Sequence, residues 1–219
     1  MPYREGGFAI ASRDSHAFVD DSVLEDDALE DARRRAEEVG ITPVTPGAGA
    51  TLRLLASLAV ARAAVEIGTG TGVSGLWLLR GMRPEGVLTS VDSEAEHTRL
   101  ARQTFTQAGI PSQRTRLITG RALEVLPRLA DGAYDLVLCS GDKQNYAAVI
   151  EEGVRLLRSG GVLIVDNALW GDRVADPAQR DPVTVAIRQA VTGLSSDERL
   201  TTALLPVGDG LLVAQRLGD

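Results

Sequence analysis

The sequence predicts one α/β domain built on a mostly parallel sheet with helices on both faces, and three observations carry that prediction. From residue 41 onward, short β-type runs alternate with stretches of helical spacing, the signature of repeated βαβ units. One of these runs leads directly into a glycine-rich turn, Gly68-Thr69-Gly70-Thr71-Gly72, and then into a helix. The end of the chain breaks the pattern. Leu200 to Val207 and Leu211 to Leu217 are two apolar runs joined by Gly208-Asp209-Gly210, a turn composition that favours an antiparallel hairpin.

Taken in order, residues 1–40 read as an N-terminal arm and helix, and residues 41–219 as the main part of a single domain. Residues 1 to 20 carry glycines and scattered charges without a period and are expected to be a loose arm. Ser22 and Glu25 have the spacing of a capping box, after which Leu24, Ala28, Ala32 and Ala36 recur every four residues until Gly40. Strands are expected at Ala63 to Gly68, Gly86 to Asp92, Arg114 to Gly120, Tyr134 to Ser140 and Gly161 to Asp166. Helices are expected around 73–83, 94–109, 122–130 and 145–158. The stretch 171–182, rich in Asp, Arg and Pro, is the long loop.

Composition narrows the function. The 219 residues are 44% hydrophobic, enough for one sizeable core. Thirty acidic against 23 basic side chains give a formal net charge of −7, which disfavours nucleic acid and anionic membranes as partners. The apolar stretch Leu54 to Ala61 is flanked by Arg53 and Arg62 and is far too short to span a bilayer. The N-terminus lacks the apolar core of a secretory signal, so a cytoplasmic protein is expected. Cys139 is the single cysteine, and His16 and His97 are the two histidines, which excludes an internal disulfide and a cysteine-based zinc site.

The richest local signal is Val65-Glu66-Ile67-Gly68-Thr69-Gly70-Thr71-Gly72-Val73-Ser74-Gly75. Gly70, Gly72 and Gly75 satisfy G-x-G-x-x-G, and Asp92 closes the next strand, so a dinucleotide site is formally open. The register Glu66-x-Gly68-x-Gly70-x-Gly72 places a carboxylate at the strand end beside a turn that lets a ligand lie on the backbone. That carboxylate would repel a pyrophosphate and attract a sulfonium, so S-adenosylmethionine fits better than NAD. Asp92 suits a ribose diol, and Gly120-Arg121-Ala122 ends the third strand where an adenine ring would sit.

With these motifs the sequence resembles the cation-dependent class I O-methyltransferases of the catechol and caffeoyl-coenzyme A type, from about Thr42 to the C-terminus. The resemblance is carried by the segment from Val65, by Tyr134-Asp-Leu-Val-Leu with Asp142-Lys143-Gln-Asn-Tyr146, and by Asp166-Asn167-Ala-Leu-Trp170. It implies a Rossmann-like, seven-stranded, mostly parallel sheet ending in an antiparallel hairpin. It implies contacts to S-adenosylmethionine from Val44, Glu66, Gly68, Thr69, Ser74, Asp92 and Ala122; Gly70, Ser93, Gly120 and Ser140 complete the expected cofactor site. Relatives commonly pair as homodimers, and a homodimer is expected.

The resemblance also implies a divalent cation such as Mg²⁺, held by an aspartate ending the fourth strand and an Asp-Asn pair ending the fifth. The pair is present as Asp166 and Asn167, but Ser140 stands where the first aspartate is expected. A hard cation is usually fixed by one or two carboxylates, so metal dependence is expected to be weakened, with Asp142 the alternative ligand. Lys143 matches the family's base position and is the expected catalytic residue. Trp170 and Asp142 are expected at the acceptor; the alternative for Trp170 is a core or subunit contact. The expected acceptor is a small phenolic or catechol-like hydroxyl compound. The competing reading is a cofactor-binding sensor or assembly subunit of the same fold, which the loss of the carboxylate at position 140 favours.

Overall fold

The computed structural model describes residues 13–141 and 143–218. Seven strands form one sheet: β1 (Ala63–Ile67), β2 (Val87–Asp92), β3 (Thr115–Thr119), β4 (Tyr134–Cys139), β5 (Leu157–Asp166), β6 (Leu200–Leu205) and β7 (Leu211–Arg216). Their spatial order is β3-β2-β1-β4-β5-β7-β6. The β1–β2, β1–β4, β2–β3 and β4–β5 pairs are parallel, while β7 runs antiparallel to both β5 and β6. The chain leaves β1 on one side and returns to β4 on the other, so the crevice at the ends of β1, β2 and β4 is the topological switch where open α/β sheets bind ligands.

Side chains alternate across the sheet and build two cores. Ala64, Leu88, Leu136, Leu138 and Ile164 face one cluster, covered by α2 (Asp27–Glu38), α3 (Pro46–Leu58), α4 (Val73–Gly81) and α5 (Ala95–Gln107). Val65, Ile67, Val137, Cys139, Leu163 and Val165 face the other, covered by α6 (Ala122–Val125), α7 (Tyr146–Leu156) and α8 (Pro182–Ser195). Cys139 behaves as a small core hydrophobe, its thiol pushed up to about 12 by burial.

The expected strands and hairpin are all present with ends shifted by one or two residues, except that β5 starts at Leu157, four residues before Gly161. Three differences have local causes. Residues 13–21, placed in the loose arm, form α1 (Arg13–Asp21), where the Asp20 carboxylate accepts from Gly47 N–H at the start of α3. The helix expected from Ser22 begins instead at Asp27 with Asp26 as its cap, accepting from Leu29 N–H. Glu25 does not close a capping box because its carboxylate is taken by Arg33 Nε and Nη2 and by Trp77 Nε1. The 122–130 stretch breaks into α6 and a 3₁₀ turn at Leu126–Arg128, where Pro127 has no N–H to continue the helix.

Candidate functional site

Strand ends and turns, rather than helices, build the site. Gly68 adopts φ +97°, and a Cβ there would lie 2.6 Å from Gly141 N. Glycine therefore lets the loops after β1 and β4 touch, and both Ser140 N–H and Gly141 N–H donate to the Ile67 carbonyl. On the β2 side a cleft of about 370 Å³ opens over these strand ends. Of the expected residues it is lined by Gly68, Asp92, Ser93, Gly120 and Ala122. His97 and Glu94, neither anticipated, also line it, as does Arg121 between Gly120 and Ala122. His97 and Glu94 follow β2 closely in sequence, and only the convergence of two loops on one strand edge identifies them.

Asp92 is the cleft's carboxylate. Its Oδ2 accepts from Gly70 N–H at 3.0 Å, and its Oδ1 accepts from Glu94 N–H and faces His97 Nδ1, both at 3.0 Å. These bonds hold the carboxylate at the strand end with acceptor capacity left for a diol.

Glu66 differs from expectation. Its side chain lies entirely beneath the glycine-rich turn and takes no part in the cleft wall. Its carboxylate accepts from Ser74 Oγ at 2.6 Å and Ser90 Oγ at 2.5 Å, while Ser90 also pairs with Thr69 Oγ1 at 2.7 Å. Burial raises its pKa to about 7 against the lowering effect of the two hydroxyls. Glu66 thus braces the turn from within, through Ser74 directly and through Ser90 to Thr69. Gly70, at φ +49°, contributes its N–H to Asp92. Val44 is buried before α3, and its carbonyl accepts from Arg33 Nη1 at 2.7 Å.

On the β5 side, Asp166 gathers the expected catalytic and metal residues. Ser140 Oγ donates to Asp166 Oδ2 at 3.0 Å and Asn167 N–H donates to Oδ1 at 2.8 Å. The Asp166 backbone carbonyl accepts from Lys143 Nζ at 2.9 Å and from Tyr146 Oη at 3.2 Å. Lys143 Nζ also lies 4.8 Å from the Tyr146 ring centre. Burial lowers the Lys143 pKa, opposed by the charges of Asp166 and Asp209; burial raises that of Asp166, opposed chiefly by Lys143. Trp170 is partly buried and packs against the second core, so it is in part a core residue. Asp142 lies outside the described residues.

The described donor set is a poor one for a divalent cation. Asp166 is its one carboxylate, each of that carboxylate's oxygens accepts one hydrogen bond, and Lys143 Nζ bonds the backbone carbonyl of the same residue. Among the described residues no three His, Cys, Asp or Glu side chains gather as a metal site. A hard cation is usually fixed by one or two carboxylates, and with Ser140 in place of the second this set lies at the low end.

Known proteins match this architecture along nearly its whole length. A family model described as O-methyltransferase matches residues 18–217. The chain belongs to the O-methyltransferase family. Relatives designated O-methyltransferase in Mycobacterium ulcerans and Mycobacterium tuberculosis are each 54% identical over 200 residues, covering 91% of this chain and 89% of theirs. Among solved structures, a Streptomyces achromogenes O-methyltransferase involved in tomaymycin synthesis, in complex with S-adenosylmethionine, is 30% identical with a TM-score of 0.83, covering 92% of this chain and 95% of its own. A Bacillus cereus O-methyltransferase in complex with S-adenosylhomocysteine is 28% identical with a TM-score of 0.82, covering 92% of this chain and 96% of its own.

Proposed function

We propose that this O-methyltransferase binds S-adenosylmethionine in the cleft beside Asp92 and transfers its methyl group to a hydroxyl of a small phenolic or catechol-like acceptor near Lys143. The observation that carries the reading is the placement of a backbone-anchored carboxylate and a half-buried lysine at neighbouring strand ends, joined by the Gly68–Gly141 contact. The ribose diol would bond to Asp92, and adenine would lie by Gly120 and Ala122.

Methyl transfer is an in-line displacement, so alignment and acceptor deprotonation are what the protein supplies. A phenol near pKa 10 must lose its proton. Neutral Lys143 can donate one N–H to the Asp166 carbonyl and turn its lone pair to the acceptor hydroxyl. As the oxygen–methyl bond forms and the sulfur–methyl bond breaks, the hydroxyl proton passes to Nζ, leaving S-adenosylhomocysteine and lysine ammonium. Desolvation, which lowers the lysine pKa, brings it toward the operating range of a base. The presence of Ser140 beside Asp166, where a second carboxylate is expected, supports a weakened metal dependence.

Calorimetry with S-adenosylhomocysteine and with NAD tests the cofactor, and methyl transfer to a catechol panel with Mg²⁺ or with chelator tests the reaction. Binding of the former together with turnover that survives chelator supports the proposal. Preference for NAD overturns it, and binding without turnover favours the sensor or assembly subunit that Ser140 suggests. The exposed Leu54 and Leu58, four residues apart on α3, support a homodimer through this face. Among the described residues no helix is long and apolar enough to cross a membrane.

A further inference from the structure

Asp92 is held by donors from three different places. Gly70 N–H comes from the glycine-rich turn, Glu94 N–H from the approach to α5, and His97 from the first turn of α5 itself. Two of the three are backbone and belong to the fold. The third is a side chain that lines the cleft and stays 23% exposed. It bends back onto the carboxylate. A carboxylate only accepts, so His97 Nδ1 carries the proton of this bond.

We propose that His97 is a positioning residue for the cofactor: by donating from Nδ1 to Asp92 Oδ1 it fixes the rotamer in which the carboxylate meets the ribose diol. This rests on the reading that the cleft takes S-adenosylmethionine. Backbone donors alone restrain each oxygen from one side, at the turn and at the helix approach. The imidazole adds the restraint from the cleft side, where a mobile carboxylate would otherwise swing to solvent and have to be reordered on binding.

The test is calorimetry of the full chain with S-adenosylhomocysteine, using His97→Phe, which keeps a ring and removes the donor, and His97→Asn, whose amide nitrogen can replace Nδ1. His97→Phe should weaken binding about 10- to 150-fold, the range for a lost hydrogen bond to a charged group, while His97→Asn stays within about 3-fold of the parent. In turnover His97→Phe should raise KM for S-adenosylmethionine and leave kcat unchanged. In an Asp92→Ala background the same His97→Phe change should cost less than about 2-fold, because its partner is gone. Parent-like affinity in His97→Phe overturns the proposal, as does an equal penalty with and without Asp92, which would show that the ring acts on the ligand or the fold directly. Absence of binding by the parent protein overturns the reading of the cleft, and the proposal with it.

Discussion

The two ends of the site are held in different ways. At the cofactor end, Asp92 is fastened by backbone N–H groups from two loops, and Glu66 is sealed under the turn with Ser74 and Ser90. At the acceptor end, Lys143 and Tyr146 converge on one backbone carbonyl, and the following segment places Asn167, Trp170 and Asp172 at φ of 57°, 50° and 63°. Non-glycine residues in that region cost of order 1 kcal/mol each and persist only where neighbours over-determine them. Here the β6–β7 turn does so, through Asp209 Oδ1 to Gly171 N–H and the carbonyls of Asp209 and Gly210 to Leu169 and Ala168. The cofactor end is thus two carboxylates fixed by backbone and hydroxyl donors, and the acceptor end is side chains from the start of α7 and the turn before it, converging on the residue that opens a strained loop.

The sharpest way to break that comparison is at Lys143. Lys143→Met should lower the methyl-transfer rate about 10²- to 10⁴-fold, the usual worth of a general base, with S-adenosylhomocysteine affinity unaffected. In the parent protein the rate should rise with pH as the ammonium is lost, with a midpoint below the ordinary lysine value of 10.5 because burial disfavours the charged form. A rate unchanged in Lys143→Met would remove the base from the acceptor end.

The cofactor end breaks through Glu66 instead, and the readout is stability. Glu66→Ala should cost about 2–4 kcal/mol, from the cavity and two stranded hydroxyls, measured by denaturant unfolding. The pH dependence has a defined sign. Folding raises the Glu66 pKa from 4.5 to about 7, so the folded state binds the proton more tightly. Its stabilising contribution is fully present below about pH 4.5 and lost as pH rises through about 7, amounting to roughly 3 kcal/mol. Glu66→Gln should flatten that part of the pH profile; an unaltered profile would show that the carboxylate is not the group responsible.

Asp92→Ala should weaken S-adenosylhomocysteine binding by about 1–3 kcal/mol, the cost of leaving buried ribose donors unpaired, with stability changed less than by Glu66→Ala. Equal affinity by calorimetry would move the ribose elsewhere in the cleft.

The same contrast explains what the sequence disclosed. The central strands are nearly continuous apolar runs, the glycine turn is a local motif, and the hairpin is marked by its turn composition, so each can be read within a few residues. What failed was tertiary. α3 opens on Pro46-Gly47-Ala48-Gly49, and glycine argues against helix in isolation; those residues are small because Trp77 Nε1 lies 2.3 Å from where a Gly49 Cβ would be. α8 follows an irregular loop and was not distinguished from it, although Asp181 and Pro182 supply a cap and a first-turn proline. Glu25 has the spacing of a capping box, yet Arg33 and Trp77 claim it from other turns. For the site, Asp92 was visible as a strand-end carboxylate, whereas the burial of Glu66 and the approach of His97 depend on which side of the sheet each loop covers. Spacing along the chain carries no such information.

The smallest expected effect tests whether the acceptor end can be made to hold a cation. Ser140 Oγ is 3.0 Å from Asp166 Oδ2, so Ser140→Asp would set two carboxylates almost in contact. Lys143, already bonded to the Asp166 carbonyl, offers one positive charge to the pair. Like charges that close resist simultaneous ionisation, and a divalent cation relieves the repulsion while the second carboxylate supplies the anionic oxygen that the parent lacks. Ser140→Asp should therefore raise Mg²⁺ or Mn²⁺ affinity about 10-fold in a calorimetric titration. The variant should be less stable than the parent without the cation and recover when it is added, by linkage of binding to folding. An unchanged titration would mean that Asp166 and Asn167 do not stand at ligand positions, and that the two ends of the site differ more deeply than by one side chain.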